Sequence, residues 1–166
     1  RWVYSIGFSA EEEEKEPPRV RLASPPRVVI VGSGPAGLFC ALRLIEYGAK
    51  PIVLERGKCV EERAADNERF FSEHLLEGES NIQFGEGGAG TFSDGKLYSQ
   101  TNSPQNRNNA DVFRLFVQFG APEEIAYLSK PHIGSDRLRV AVRNMREYIR
   151  AQGGEVRFSA KMTDLM

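Results

Sequence analysis

The chain has 166 residues, enough for one domain with a real core. Its 22 Lys and Arg stand against 23 Asp and Glu, so the near-zero net charge argues against a general nucleic-acid or membrane partner. No apolar run approaches the ~20 residues of a membrane helix, and the N-terminus has no signal-peptide pattern.

Residues 1–26 read as the end of something that precedes the main domain. The first residue is Arg rather than Met, as expected for a piece of a longer chain. Trp2 to Ile6 alternates large and small groups like a strand of a preceding domain, and Glu11 to Glu16, followed by Pro17 and Pro18, reads as an acidic, proline-ended linker. The main domain then covers 27–166. Residues 28–31 form a short apolar run bounded by turn signals, as a buried parallel strand requires. A helix is expected over 35–47, with Leu38, Ala41, Leu42 and Ile45 on one face, Pro35 in its first turn and Gly48 past its end. Residues 52–54 form the second parallel strand. Residues 57–75 read as loop then helix, with Val60, Ala64, Phe71 and Leu75 near helical spacing. The stretch 76–109, rich in Gly, Ser and Asn, is a long loop whose anchors are Phe84, Phe92, Leu97 and Tyr98. A helix over 111–119 turns Val112, Phe113, Phe116 and Phe119 inward and stops at Gly120, and 122–128 forms a short helix with Pro at its first turn. Residues 136–152 give the cleanest helix, apolar at Leu138, Ala141, Val142, Met145, Tyr148 and Ile149, with Ser135 or Asp136 as its cap and Gly153 at its end. Arg139, Arg143, Arg146 and Arg150 then form a solvated basic face. Residues 155–158 form the third strand. The 57–134 stretch is an insertion between strands two and three. The fold class is α/β, a Rossmann-like βαβ unit with a parallel sheet that stops after the third strand.

The chemistry is concentrated where the first strand meets the first helix. Gly32, Gly34 and Gly37 supply G-x-G-x-x-G directly after the apolar run, and Glu55 ends the second strand eighteen residues beyond Gly37. Each has a mechanical part in holding a dinucleotide: a tight turn at Gly32, close approach of a pyrophosphate at Gly34, and close helix–sheet packing at Gly37. The helix N-terminus adds unpaired N–H groups and about half a positive charge. Glu55 is placed to accept hydrogen bonds from ribose hydroxyls.

A second glycine cluster runs from Phe84 to Leu97, with five glycines in eleven residues between Gly85 and Gly95. Such a segment permits positive φ, and its successive N–H groups can form an anion nest. Thr91 and Ser93 add hydroxyls and Lys96 a cation. Cys40, on or near the buried side of the first helix, and Cys59, in a loop, make no disulfide framework and no C-x-x-C, which fits a reducing compartment. There is no Ser-His-Asp grouping, metal-spaced cluster or paired carboxylate. His74 and His132 stand alone, and His132 is the better candidate for a functional part.

Together, VVIVGSGPAGL…PIVLERG and FGEGGAGTFSDGKLYS resemble a family of FAD-dependent dehydrogenases of unassigned substrate. These are flavoproteins of the glutathione-reductase type with two dinucleotide-binding domains, found in bacteria and plant plastids. The 130–136 and 153–158 segments look like family segments too, so the resemblance covers about residues 27–166. It implies FAD rather than NAD, with Gly32, Ser33, Gly34, Pro35, Ala36 and Gly37 at the pyrophosphate, Glu55 on the adenosine ribose and Arg56 on the adenine side. Gly87, Gly88, Ala89, Gly90 and Thr91 would run along the pyrophosphate and flavin, and Met162 would meet the adenine through its backbone. It also implies an oxidoreductase acting on a small-molecule substrate or electron carrier, with NAD(P)H as a candidate electron donor and a cytoplasmic or, in a plant or alga, plastid location. The family's late Gly-Asp segment and further sheet do not occur in the 166 residues, so catalytic residues are expected beyond Met166, and apolar surface around Phe113, Phe116 and Phe119 is expected to face that missing part. Two other readings stand beside this one: an NAD(P)-dependent enzyme, in which Glu55 disfavours NADP although Arg56 favours it, and a non-catalytic nucleotide-binding module.

Overall fold

The computed structural model describes residues 20–93, 107–127 and 132–165. Three short strands, β1 (Val29–Val31), β2 (Ile52–Leu54) and β3 (Glu155–Arg157), form a parallel sheet in the order β1-β2-β3. The register aligns Ile30 with Val53 and Val53 with Val156. These three side chains point to the same face, because alternate residues of a strand share a face.

Parallel strands need crossover connections, and here helices provide them. Helix α1 (Pro35–Glu46) joins β1 to β2, and α4 (Ser135–Ala151) runs into β3. They lie side by side over Ile30, Val53 and Val156. Leu38, Ala41, Leu42 and Ile45 of α1 meet Leu138, Ala141, Val142, Met145 and Ile149 of α4 in one core, matching the expected periodicity of both helices except at Tyr148, which is exposed at the edge of the α4 stripe with its ring against Phe119. Burying a side chain of this size contributes about 1.5–3 kcal/mol. The opposite face of the sheet is open, with Val29 and Val31 54% and 58% exposed.

Helices α2 (Val60–Glu73) and α3 (Arg107–Gln118) fill the long connection from β2 to β3, with 3-10 turns at Ala89–Phe92 and Glu123–Ala126. Phe116 and Phe119 enter the core, and Phe116 meets Phe39 edge-on at 5.1 Å. The inward turn expected of Phe113, Phe116 and Phe119 therefore holds, the first packing partly buried against the core and the other two within it, so this surface is not left exposed.

Four further expectations change. Cys40 is exposed, because the buried stripe of α1 passes through Leu38, Ala41, Leu42 and Ile45 and leaves position 40 outside it. Helix α4 starts one residue earlier than expected, and Gly134 at φ 80° occupies the cap position with no side-chain bond, so neither Ser135 nor Asp136 caps it. Phe71 and Leu75 are exposed, whereas α2 buries Val60, Arg63, Asp66 and Asn67. Its inner face is polar: Arg63 donates to backbone carbonyls and Asp66 pairs with Lys58 and Arg69. Arg146 is also buried, inside the row of arginines read as solvated. The strand-like Trp2 to Ile6, the acidic linker, Lys96, Leu97 and Tyr98 lie outside the described residues.

Candidate functional site

The glycine turn leaves the end of β1 at Gly32, which adopts φ 93° and donates from its amide to the Leu54 carbonyl at 2.7 Å. At Gly37 a Cβ would stand 2.0 Å from the Gly32 carbonyl oxygen, so only glycine lets α1 start this close to the turn. At Gly34 a Cβ would meet nothing within 4 Å, and the backbone is extended (φ -68°, ψ -179°). Among the described residues its lack of a side chain serves no packing. Open space beside a helix start, with exposed Pro35 and Ala36 next in line, is where a pyrophosphate fits.

Glu55 ends β2 and is only 5% exposed. Its Oε2 accepts from the amide and the hydroxyl of Ser33, both at 2.8 Å, and its Oε1 accepts from the Gly57 amide at 2.9 Å. A carboxylate has about four lone-pair positions, so capacity for another donor remains. Ser33 is wholly buried, and its carbonyl accepts from the Gly87 amide at 2.9 Å. Its polar atoms thus tie the β2 acid to the second glycine segment.

That second segment folds directly against the first. Gly87 and Gly88 adopt φ 82° and 72°, and a Cβ at Gly88 would sit 3.5 Å from the Gly34 Cα. Sequence placed the two clusters fifty residues apart, and the structure makes them neighbours. Ala89 and Gly90 are exposed. Thr91 is fully buried, with its Oγ1 unpartnered among the described residues and set where a Gly87 Cβ would be, 2.1 Å away.

Arg56 turns to Glu79, donating from Nε at 2.6 Å, and lies over the Phe84 ring at 4.2 Å. Lys161 also reaches Glu79, at 3.1 Å, and these two cations hold the Glu79 carboxyl below its usual range. The chain after β3 runs beside Glu55: the Ala160 amide donates to the Glu55 carbonyl at 2.8 Å, and that of Ser159 to Gly57 at 3.0 Å. Met162 follows two residues on, 42% exposed. His132 is exposed and lines an open cavity of about 580 Å³ with Phe92, Ser93, Ser135 and Asp136. His74 ends α2 in the left-handed conformation.

Three buried charged residues, Arg63, Glu86 and Arg146, organise the second segment. Arg63 is completely buried. Its guanidinium donates to the carbonyls of Asn81 (2.7 Å), Ile82 (2.6 Å), Glu86 (2.7 Å), Gly88 (2.8 Å) and, longer, Gly85 (3.4 Å). Burial lowers its pKa to about 10, which leaves it charged at neutral pH. Glu86, also fully buried, accepts at Oε2 from the Val60 amide and from Arg146, both at 2.7 Å, while Oε1 has no partner among the described residues. Burial raises the Glu86 carboxyl to about 7, outweighing the pull of the Val60 amide and Arg146. Arg146 also holds Glu61 at 2.8 Å, lowering that carboxyl to about 2, and its own pKa is raised chiefly by Glu61. The sequence signal for Arg63 was its position three residues after Val60 and four before Asn67, on the side of α2 that turns inward. Among the described residues no group of His, Cys, Asp and Glu could hold a metal, and no helix is long and apolar enough to cross a membrane.

Residues 27–161 match a family described as FAD binding domain. The chain belongs to that family. Its cofactor is FAD, and its open parallel sheet is that of a truncated Rossmann-like dinucleotide-binding fold. A protein of Clostridium beijerinckii named only as uncharacterized is 50% identical over 136 residues, which is 82% of this chain. This FAD-binding domain spans 25% of that relative's length.

Proposed function

We propose that this chain holds the FAD of an oxidoreductase that passes a hydride through the flavin, with NAD(P)H as a candidate donor. The observation that carries the reading is the approach of the two glycine segments: a Cβ on Gly88 would lie 3.4 Å from Pro35 Cδ and 3.5 Å from the Gly34 Cα, and among the described residues Gly34 itself borders open space. Gly32, Ser33, Gly34, Pro35, Ala36 and Gly37 would hold the pyrophosphate from the α1 side, and Gly87, Gly88, Ala89, Gly90 and Thr91 from the other. Glu55 would take the ribose with its remaining acceptor capacity, and the backbone at Met162 would meet the adenine. Arg56, turned to Glu79, would border the adenine side with its apolar stem.

When bound, FAD supplies hydride acceptance and release at the flavin N5. The residues of this chain bind and orient. They fix the dinucleotide end by backbone amides and one buried acid, which leaves reactivity to groups around the flavin ring. The intact protein should purify yellow and, stripped of cofactor, should take up FAD in preference to NADH or NADPH in a fluorescence titration. A colourless protein that binds no added FAD would sink the proposal, and tighter binding of NADH or NADPH would move the site to an NAD(P)-dependent enzyme.

A further inference from the structure

The second glycine segment has few apolar anchors of its own. Between Asn81 and Gly88 only Ile82 and Phe84 carry sizeable apolar side chains, and Phe84 is 36% exposed. Chain of this composition has large conformational freedom, most of all at Gly85, Gly87 and Gly88, each at positive φ. Yet it forms one defined path. What it has in common along that path is Arg63, whose three guanidinium nitrogens take the carbonyls of 81, 82, 85, 86 and 88. The space around the side chain is closed: a Cβ on Gly85 would stand 2.6 Å from Arg63 Cδ, and the guanidinium lies 4.8 Å from the centre of the Phe92 ring.

The geometry points to Arg63 as the positioning residue that presets the second glycine segment for FAD. A peptide unit is planar and trans, so a carbonyl drawn inward turns the following N–H outward. With the Glu86 carbonyl on Arg63, the Gly87 amide points away and meets Ser33, which ties the segment to the first turn. With the Gly88 carbonyl on Arg63, the Ala89 amide is turned to the outer side, and no acceptor among the described residues takes it. Arg63 touches no ligand on this reading. It acts through backbone, and a guanidinium is required because its planar fork serves several carbonyls at once, where a lysine ammonium is a single point with a shorter reach.

The inference rests on FAD being the ligand, and the experiment separates the two. In the intact protein, Arg63→Lys and Ile149→Ala are compared with wild type for thermal midpoint and, well below both midpoints, for FAD dissociation constant. Ile149 is in the α4 core, far from the segment in sequence, and its truncation supplies a variant of lowered stability alone. Arg63→Lys should weaken FAD at least tenfold while Ile149→Ala leaves it within about twofold. Equal affinity of Arg63→Lys and wild type overturns the positioning role but leaves the FAD reading intact, and failure of wild type to bind FAD removes that reading instead. Should Arg63→Lys fail to fold, hydrogen exchange on wild type decides. Amides 86, 87 and 88 should already exchange slowly without FAD and change little when it is added, whereas a large gain of protection on binding would mean that FAD, and not Arg63, sets the segment.

Discussion

Gly34→Val and Gly37→Ala are expected to fail in different ways, although both alter the same motif. At Gly34 a Cβ meets nothing within 4 Å, and φ -68° with ψ -179° is backbone that any residue adopts. The folded ligand-free chain loses nothing there, and its stability should stay within about 0.5 kcal/mol of wild type. The new side chain instead occupies the space beside Gly88, so FAD affinity should fall more than tenfold, a cost of at least about 1.4 kcal/mol. At Gly37 the new Cβ would lie 2.0 Å from the Gly32 carbonyl oxygen, where carbon–oxygen contacts are normally about 3.3–3.6 Å. The obstacle is backbone, so α1 must retreat from the turn by roughly 1 Å. Ile30, whose Cγ2 would be 3.3 Å from the same Cβ, moves with it. Overpacking of this kind costs about 1–3 kcal/mol, and the upper part of that range is expected because no flexible side chain can give way. Urea denaturation of the ligand-free proteins and FAD titration by fluorescence measure both quantities. Equal loss of stability in the two variants, or undiminished FAD binding by Gly34→Val, would refute the division of roles.

Glu55→Ala should lower stability as well as weaken FAD, less than Gly34→Val does, because it strands the buried Ser33 amide at a cost of about 1–3 kcal/mol; unchanged urea midpoint and FAD affinity together would count against both roles. Glu86, raised to about 7, binds a proton in the folded chain between about pH 4.5 and 7 that the unfolded chain does not. Its contribution to stability is therefore present at low pH and is lost as pH rises through that window, so Glu86→Gln should gain on wild type between about pH 4.5 and 7 in urea titrations, and a constant difference would refute the assignment. Glu61, lowered to about 2, has the opposite sign: its pairing with Arg146 stabilises above about pH 4.5 and fades below it, so Glu61→Gln should flatten the acid limb of the same curves. The 166-residue chain by itself should bind FAD weakly and turn over no electron acceptor, since the sheet face carrying Val29 and Val31 is open, and tight binding with steady turnover would overturn this.

Local order in the sequence determined the βαβ unit. The apolar run, the three glycines, the amphipathic stripe of α1 and the acid after β2 each act over one turn or one strand, and the parallel sheet with α1 and α4 follows from period and connection length alone. The pairing of the two glycine segments also left a trace, in the resemblance of both motifs to one flavoprotein family. Their physical contact did not, because a Gly87 amide bonding to Ser33 across more than fifty residues depends on how the intervening chain packs. The burial of Arg63, Glu86 and Arg146 left no mark in the apolar pattern for a related reason. Hydrophobic periodicity finds faces that bury hydrocarbon, and the inner face of α2 buries a guanidinium against carbonyls, which no apolar pattern announces. Only tertiary structure decided that an arginine on a polar helix would be the centre around which the second glycine segment is arranged.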